Sequence, residues 1–206
     1  PSAAALQYAN SETGVVQPIP KDIGFCDMTQ AFGKLPIAFN WTGARMAAVS
    51  AHKIGGPKGV GALVVKRGTD IEAQIKGGGQ EMGRRSGTEN LVGIAGFGAA
   101  AASAAKDIES GVWEEIEILR DFLENTIAEV DPHTIIVSRQ MCRLPNTSCL
   151  VTSGWKGETQ VMQMDLDNIA ISAGSACSSG RVKASRVLKT MGFDDIAASS
   201  AIRISL

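Results

Sequence analysis

The sequence has few cysteines and histidines and no excess of charge, and each shortage excludes a class of protein. Four cysteines in 206 residues are too sparse for a disulfide scaffold, and without a C-x-x-C pair they make no zinc site with the two histidines. Twenty basic against twenty-one acidic residues leave a net charge of −1, which argues against nucleic acid or an anionic membrane as the main partner. No uninterrupted apolar run approaches the roughly 18 to 20 residues of a membrane span, and the first residues lack the charged start of a signal peptide. We therefore expect a cytoplasmic protein.

Size and pattern indicate an α/β protein. A hydrophobic content of 44% over 206 residues is enough for one large domain or a domain and a half. Short apolar runs with strand character alternate with helical stretches, which is typical of an α/β sheet. The chain opens on a strand-like run at 4–8 and closes on another at 201–206, so we interpret it as an internal piece of a longer chain.

A lysine at the predicted end of a strand is the main chemical signal. The buried run 46–50 leads to His52 and Lys53, after which a glycine and proline cluster forces a turn. A lysine in that place can be partly desolvated and reach a carbonyl carbon, as a Schiff-base lysine must. The alternative is a solvated loop lysine. The next strand, 61–67, is predicted to be antiparallel to its neighbour because the loop between them is short.

Three further positions each allow two interpretations. Asp27 ends the apolar run 24–27, either as a helix N-cap or as the partner of a ring nitrogen. The glycine-rich stretch 77–90, with two arginines, is either an anion cradle or a flexible surface loop. Arg203 lies between two isoleucines, where it either pairs with a protein carboxylate or waits for that of a ligand.

Helical patterns account for much of the remaining chain. An alanine-rich helix is predicted over 91–105 with Thr88 as its cap, so the G-x-G-x-x-A match at 96–101 falls inside the helix and not at a dinucleotide-binding turn. A second helix over 107–129 leads into a smaller domain, and a third covers 158–166. The residues predicted to face the core are Trp113, Ile116, Leu119, Leu123 and Ile127 in the second helix and Val161, Met162 and Leu166 in the third.

One cysteine differs from the others in its surroundings. Cys177 lies among small side chains at 173–180, which favours an exposed and mobile loop; the alternative is a free thiol in a linker. Most of the other three, Cys26, Cys142 and Cys149, are expected to be small buried hydrophobes.

Seven motifs together resemble those of cysteine desulfurases, pyridoxal 5'-phosphate (PLP) enzymes of the class V aminotransferase fold that supply sulfur for iron-sulfur cluster assembly. In chain order they are Ala9-Asn10-Ser11-Glu12-Thr13-Gly14, Asp27-Met28-Thr29-Gln30, Ser50-Ala51-His52-Lys53, Gly77-Gly78-Gly79-Gln80-Glu81, Arg85-Ser86-Gly87-Thr88, Gly174-Ser175-Ala176-Cys177 and Ile202-Arg203-Ile204-Ser205. The resemblance covers essentially all 206 residues. It implies a PLP-dependent transferase fold of type I, like that of aspartate aminotransferase. Residues 1–107 would be the C-terminal part of the large, mixed-sheet cofactor domain, and 108–206 part of the small α/β C-terminal domain that carries the cysteine loop.

The resemblance also implies the cofactor contacts. Lys53 would bind the cofactor covalently and then shuttle the α-proton, and Asp27 would face the pyridine nitrogen so that the ring accepts electrons. The remaining contacts are Gln30 and Asn10 at the phenolic oxygen, with Asn10 also at the substrate, Ser50 and His52 at the phosphate, and Thr88 at the phosphate of a neighbouring subunit. A functional site would therefore imply a homodimer.

By the same resemblance Cys177 is the nucleophile. Its thiolate would take sulfur from L-cysteine as a persulfide, release L-alanine and pass the sulfur to an acceptor or iron-sulfur scaffold protein, while Arg203 would bind the substrate carboxylate. The alternatives are a selenocysteine lyase or another class V enzyme, and a non-catalytic fragment that acts as a binding module. The chain departs from the family's pattern at Arg45, where an acid is usual, and at Ser185-Arg186, where a serine and a histidine are common. The 206 residues also do not supply the family's N-terminal phosphate-binding turn and stacking histidine.

Overall fold

The chain divides into two compact units. The structure, a computed structural model, describes residues 4–173 and 184–206. The first unit comprises Pro1–Tyr8 and Gln17–Ser110, and the second comprises Ala9–Val16 and Gly111–Leu206. The domains predicted at 1–107 and 108–206 remain a prediction, to which we add that the short segment Ala9–Val16 belongs to the second unit.

The first unit is built on a four-stranded mixed sheet. Its strands are β1 (Ala5–Gln7), β2 (Phe25–Asp27), β3 (Met46–Ser50) and β4 (Gly61–Val65), in the order β1-β2-β3-β4. The first three are parallel, and β4 is antiparallel to β3, which confirms the prediction made from the short loop. Since Gln7 pairs with Asp27, and Asp27 with Ala48, the carboxyl ends of the parallel strands lie at one edge of the sheet.

Two helical segments follow the sheet in the first unit. The short α1 (Gln80–Gly83) contains two residues with positive φ, and α2 (Leu91–Glu109) is a regular helix. The helix cap predicted at Thr88 is wrong. Asn90 is the N-cap of α2, because its Oδ1 accepts a hydrogen bond from Gly93 N at 3.0 Å. The G-x-G-x-x-A match lies inside α2, as predicted.

Helix α2 packs against the connections that follow β2 and β3. Its Phe97 ring meets Phe32 edge to face, with ring centroids 6.3 Å apart. A Cβ at Gly96 would approach Pro57 Cγ to 2.6 Å, so the glycine permits this close contact. With 19 residues and a mean hydropathy of 1.3, α2 is also long and apolar enough to cross a membrane by length and composition alone.

The second unit contains an antiparallel sheet covered by helices. Its elements are α3 (Val112–Val130), β5 (Ile135–Ile136), β6 (Thr147–Val151), α4 (Gly157–Leu166), β7 (Ser172–Ala173), α5 (Arg186–Thr190), α6 (Asp195–Ser199) and β8 (Ala201–Ser205). The strand order is β5-β6-β8-β7. Its core consists of Val137, Cys149, Val151, Leu188, Ala197, Ala198 and Ala201.

The core faces predicted for α3 and α4 are partly wrong. In α3, Leu119 is 57% exposed, and the two buried residues are the charged Arg120 and Glu124. In α4, Met162 and Leu166 are exposed, while Gln160 is buried and donates to the main-chain oxygens of residues 155 and 200. Polar groups occupy these faces because partners elsewhere in the chain satisfy them, which helical spacing does not reveal.

Candidate active site

Lys53 lies in a tight turn at the carboxyl end of β3. A single 3-10 turn, Ala51–Lys53, follows the strand, and Gly55 continues it with a φ of +79°, which favours glycine. Gly56 N donates to Ala51 O at 2.9 Å, which closes the turn. Lys53 is half-buried and forms no ion pair with any carboxylate in the described part of the chain. Its amine is therefore not neutralised by a carboxylate of the described residues.

A hydroxyl and an imidazole, those of Ser50 and His52, come just before this lysine in the chain. Ser50 Oγ lies 2.8 Å from His52 Nδ1, so the two side chains share one hydrogen bond. Whichever of them donates it, one further polar hydrogen remains, either on His52 Nε2 or on Ser50 Oγ. The pair therefore offers a donor to an anion beside Lys53.

Asp27 stands at the same sheet edge. It ends β2, the strand next to β3, and its Oδ1 accepts a hydrogen bond from Thr29 N at 2.9 Å. This local bond begins the turn that leads to Gln30, whose main-chain oxygen accepts from Lys34 Nζ at 2.9 Å. The first unit thus brings Asp27 to the sheet edge where the Ser50–Lys53 motif ends β3.

The glycine-rich stretch leads from the sheet to α2. Ser86 Oγ donates to Lys76 O at 3.2 Å and Ser86 N to Ile75 O at 2.9 Å, so the two ends of the loop are joined. Thr88 is exposed, and its carbonyl accepts from Arg85 Nη2 at 3.5 Å. An exposed Thr88 is compatible with the predicted contact to a neighbouring subunit, which stays a prediction.

Asn10 organises a turn in the second unit. Its Oδ1 accepts from Glu12 N at 2.9 Å, Thr13 N at 3.0 Å and Thr13 Oγ1 at 3.3 Å. Gly14, with a φ of +73°, completes the turn by donating from N to Asn10 O at 2.9 Å. We call residues 10–14 the Asn10 turn. Its conformation is fixed largely by one amide oxygen.

Arg203 contacts the Asn10 turn from the middle of the sheet. It lies on β8 opposite Cys149 on one side and Ser172 on the other. Its Nη1 donates to Ser11 O at 2.8 Å and its Nη2 to Ser172 Oγ at 3.4 Å, while the buried Nε has no partner in the described residues. Within residues 4–173 and 184–206 no carboxylate forms an ion pair with Arg203. Of the two interpretations, the missing ion pair favours an arginine that binds the carboxylate of a ligand.

The described cysteines differ in their environment. Burial, with a contribution from Asp27, raises the pKa of the Cys26 thiol to about 11, and burial and Glu12 raise that of Cys149 to about 12. Both therefore stay protonated and are poor nucleophiles at neutral pH. Cys26 and Cys149 are buried, as predicted for most of these cysteines, whereas Cys142 is exposed. Cys177 lies outside the described residues.

One contact at the Asn10 turn was missed from the sequence. Ser185 matches a serine that is common in the family at this place, and the sequence gives it no role, yet it is completely buried and donates from Oγ to Glu12 Oε2. The two residues are 173 positions apart. The only sequence signal was a serine one position before a short helix, which indicates a cap and not a partner for Glu12.

Comparison with known proteins decides the family. The model of the class-V aminotransferase family matches residues 1–206. The chain belongs to the class-V aminotransferase family. The predicted resemblance and the predicted fold are thereby confirmed.

Several members of the class-V aminotransferase family are similar to this chain. A cysteine desulfurase from Sinorhizobium fredii is 41% identical over 98% of this chain and 54% of its own length. The cysteine desulfurase NifS from Azotobacter vinelandii is 37% identical over 100% of this chain and 53% of its own. The structure of a NifS-like protein from Rickettsia africae has a TM-score of 0.86 and 36% identity, covering 98% of this chain and 55% of that one. The chain spans about half the length of the curated relatives it matches.

Proposed function

We propose that this chain provides the lysine, the substrate arginine and the sulfur-accepting cysteine of a PLP-dependent cysteine desulfurase. The observation that carries the proposal is the half-buried Lys53, which forms no ion pair within residues 4–173 and 184–206, with the Ser50–His52 pair just before it in the chain and Asp27 at the same sheet edge. The similarity to cysteine desulfurases over nearly the whole chain supports the same reaction, the conversion of L-cysteine to L-alanine with transfer of sulfur.

The residues of the first unit fit the chemistry of PLP. An amine, a carboxylate and a hydroxyl-imidazole pair match the aldehyde, the pyridine nitrogen and the phosphate of this cofactor. When bound, PLP would supply an electron sink that stabilises the carbanion left after loss of the α-proton. Lys53 would hold the cofactor and move that proton, Asp27 would keep the ring nitrogen protonated, and the remaining polar hydrogen of Ser50 and His52 would bind the phosphate.

Further proposed contacts come from Gln30, Asn10 and Thr88. Gln30 and Asn10 would bind the phenolic oxygen, and Asn10 would also contact the substrate. Oδ1 of Asn10 accepts three hydrogen bonds within its own turn, which hold the side chain in one orientation. Thr88, exposed in the glycine-rich loop, would bind the phosphate of a neighbouring subunit, which makes the active protein a homodimer.

Cys177 is the proposed nucleophile and Arg203 the proposed substrate ligand. The Cys177 thiolate attacks the sulfur of bound L-cysteine; an S–S bond forms, the Cβ–S bond breaks, and Cβ takes a proton to give L-alanine. Arg203 binds the substrate carboxylate through its planar fork. The persulfide then passes to an acceptor or iron-sulfur scaffold protein, in a reducing compartment such as the cytoplasm, where thiols stay free.

Two alternatives remain to be distinguished. A selenocysteine lyase or another class V enzyme would use the same lysine and carboxylate site without needing Cys177. A non-catalytic fragment that acts as a binding module would take up no PLP.

The visible spectrum of the purified chain tests the cofactor. We expect PLP-loaded protein to absorb near the wavelength of a lysine-bound PLP, and L-cysteine to change that spectrum. In Lys53→Ala the lysine-bound absorption should be lost, because no other residue in this proposal binds the aldehyde. Lys58→Ala, five residues further along, is the matched control and should keep the absorption. An unmodified chain that takes up no PLP would favour the binding module.

Persulfide formation tests the nucleophile. After addition of L-cysteine, mass spectrometry should find one extra sulfur on the peptide that contains Cys177. Cys177→Ala should abolish this product while PLP stays bound, and Cys142→Ala is the control because Cys142 is an exposed cysteine with no role in the proposed reaction. Sulfide release by Cys177→Ala at the normal rate would contradict the assignment and favour another class V enzyme.

A further inference from the structure

The Asn10 turn is held at a second point besides Arg203. Ser185 is the N-cap of α5, where its Oγ accepts a hydrogen bond from Leu188 N at 3.1 Å. A serine hydroxyl has a single hydrogen, and here it is directed to Oε2 of Glu12. This completely buried hydroxyl therefore fixes the position of the Glu12 carboxylate.

Glu12 and Arg203 both have contacts at the Asn10 turn, but they form no ion pair with each other. Arg203 Nη1 binds the carbonyl of Ser11, the residue next to Glu12. The charge of Glu12 raises the pKa of the Cys149 thiol, and the charge of Arg203 lowers it. A carboxylate that can reach a guanidinium gains charge-assisted hydrogen bonds by pairing with it. In the described residues Glu12 instead accepts from Ser185, and Arg203 has no carboxylate partner.

We propose that Ser185 is a positioning residue that holds the Glu12 carboxylate away from Arg203, so that the guanidinium stays available to the carboxylate of a bound amino acid. The inference rests on the proposed function, in which Arg203 binds L-cysteine. Ser185 makes no contact with the substrate in this scheme. It acts through Glu12, by giving that carboxylate a hydrogen bond that competes with the ion pair.

The test compares Ser185→Ala with the double variant Ser185→Ala, Glu12→Gln. Without the hydroxyl, Glu12 turns to Arg203 and competes with the substrate, so KM for L-cysteine should rise about tenfold with kcat little changed. Glutamine carries no charge and cannot neutralise Arg203. The double variant should therefore return KM to near its normal value, although it retains the loss of the Ser185 hydroxyl.

A second measurement needs neither cofactor nor turnover. Phenylglyoxal modifies arginines, and peptide mass spectrometry gives the rate for Arg203. We expect Ser185→Ala to slow this rate about tenfold, and the double variant to restore it. Arg143, which is bound to Glu124, is an internal reference that should react slowly in every variant.

Controls separate this role from helix capping. Loss of a serine cap destabilises a helix, so Ser185→Gly, which caps almost as well, should show the same rise in KM as Ser185→Ala. Ser200→Ala removes another buried hydroxyl, one that donates to Ile196 O, and should leave the rate at Arg203 unchanged.

Two outcomes would overturn the inference. In the first, Arg203 in Ser185→Ala is modified at the normal rate; in the second, the double variant is as impaired as Ser185→Ala. Production of no L-alanine by the unmodified chain would count against the proposed function, whereas the modification rates would still decide whether Ser185 keeps Glu12 from Arg203.

Discussion

Two arginines of the second unit have different partners. Arg143 forms two parallel hydrogen bonds with Glu124, at 2.7 and 2.8 Å, and both side chains are only 2% exposed. Arg203 is half-buried and donates to a main-chain oxygen and a serine hydroxyl, with no carboxylate among the described residues. Glu124 compensates the charge of Arg143, whereas no carboxylate in the described residues compensates that of Arg203, and the Nε of each arginine is buried without a partner there. We infer that Arg143 stabilises the fold and that Arg203 binds the substrate.

The compensated arginine also supports the Asn10 turn. Burial opposes ionisation of Glu124, but hydrogen bonds from Arg143 and Ser148 and the charge of Arg143 outweigh it and lower the pKa of the carboxyl. The main chain beside Arg143 pairs with Val15, and Leu144 N donates to Gly14 O at 2.8 Å. The structural ion pair thus holds the segment against which the turn rests.

Removal of Glu124 should have the largest effect on stability. In Glu124→Ala the Arg143 charge is left buried without a partner, which costs roughly 3–5 kcal/mol. Urea unfolding followed by circular dichroism would measure this loss. If the two arginines differ as we infer, no single substitution at Arg203 should destabilise the protein as much.

Glu117→Ala is the matched control for this experiment. Glu117 lies on the same helix and pairs with Arg120 at 2.9 Å, but its side chain is 49% exposed. Arg120 is buried, but it also pairs with Asp121 at 2.7 Å, so its charge keeps a partner in Glu117→Ala and the unfolding midpoint should move little. Equal losses for Glu117→Ala and Glu124→Ala would contradict the structural role given to the buried pair.

Arg203→Lys should have the next largest effect, on binding. Lysine keeps the charge but loses the planar fork, and hydrogen bonds to charged groups contribute about 1.5–3 kcal/mol. We expect KM for L-cysteine to rise about thirtyfold, equivalent to about 2 kcal/mol, with a small change in the urea midpoint. Steady-state kinetics and urea unfolding of the same preparation give both numbers. Unchanged KM with a large loss of stability would make Arg203 a second structural arginine.

The strands and the ends of strands could be predicted from the sequence. The run 46–50 is the observed β3, and the turn after it places Lys53 at the sheet edge because glycine and proline act locally. Asp27 was predicted at a strand end for the same reason, since a short apolar run stops at a polar residue. These features depend on neighbours within a few positions, which a single sequence records.

The polar contacts over long separations could not be predicted. Arg143 lies 19 positions from Glu124, and Ser185 lies 173 positions from Glu12. Helical spacing predicted Leu119 in the core of α3 and gave no sign that Glu124 would be buried there. Whether a charged residue can be buried depends on a partner that only the fold brings near. The same holds for Arg203, which has no carboxylate partner among the described residues.

Ser148→Ala should have the smallest effect and would show how the Glu124 charge is held. Ser148 is buried and donates from Oγ to Glu124 Oε1 at 2.6 Å. Its loss should cost about 1–2 kcal/mol near pH 6, because one hydrogen bond to a buried carboxylate disappears. A lowered folded-state pKa contributes stability above the usual carboxyl pKa of about 4.3, and this contribution is lost as the pH falls through the folded-state value. The Ser148 hydroxyl helps to lower the pKa of Glu124. The unmodified protein and Ser148→Ala should therefore differ less in their free energy of unfolding as urea unfolding is repeated from pH 6 towards pH 3. A difference that stays constant with pH would mean that Ser148 contributes by packing and not by holding the charge that compensates Arg143.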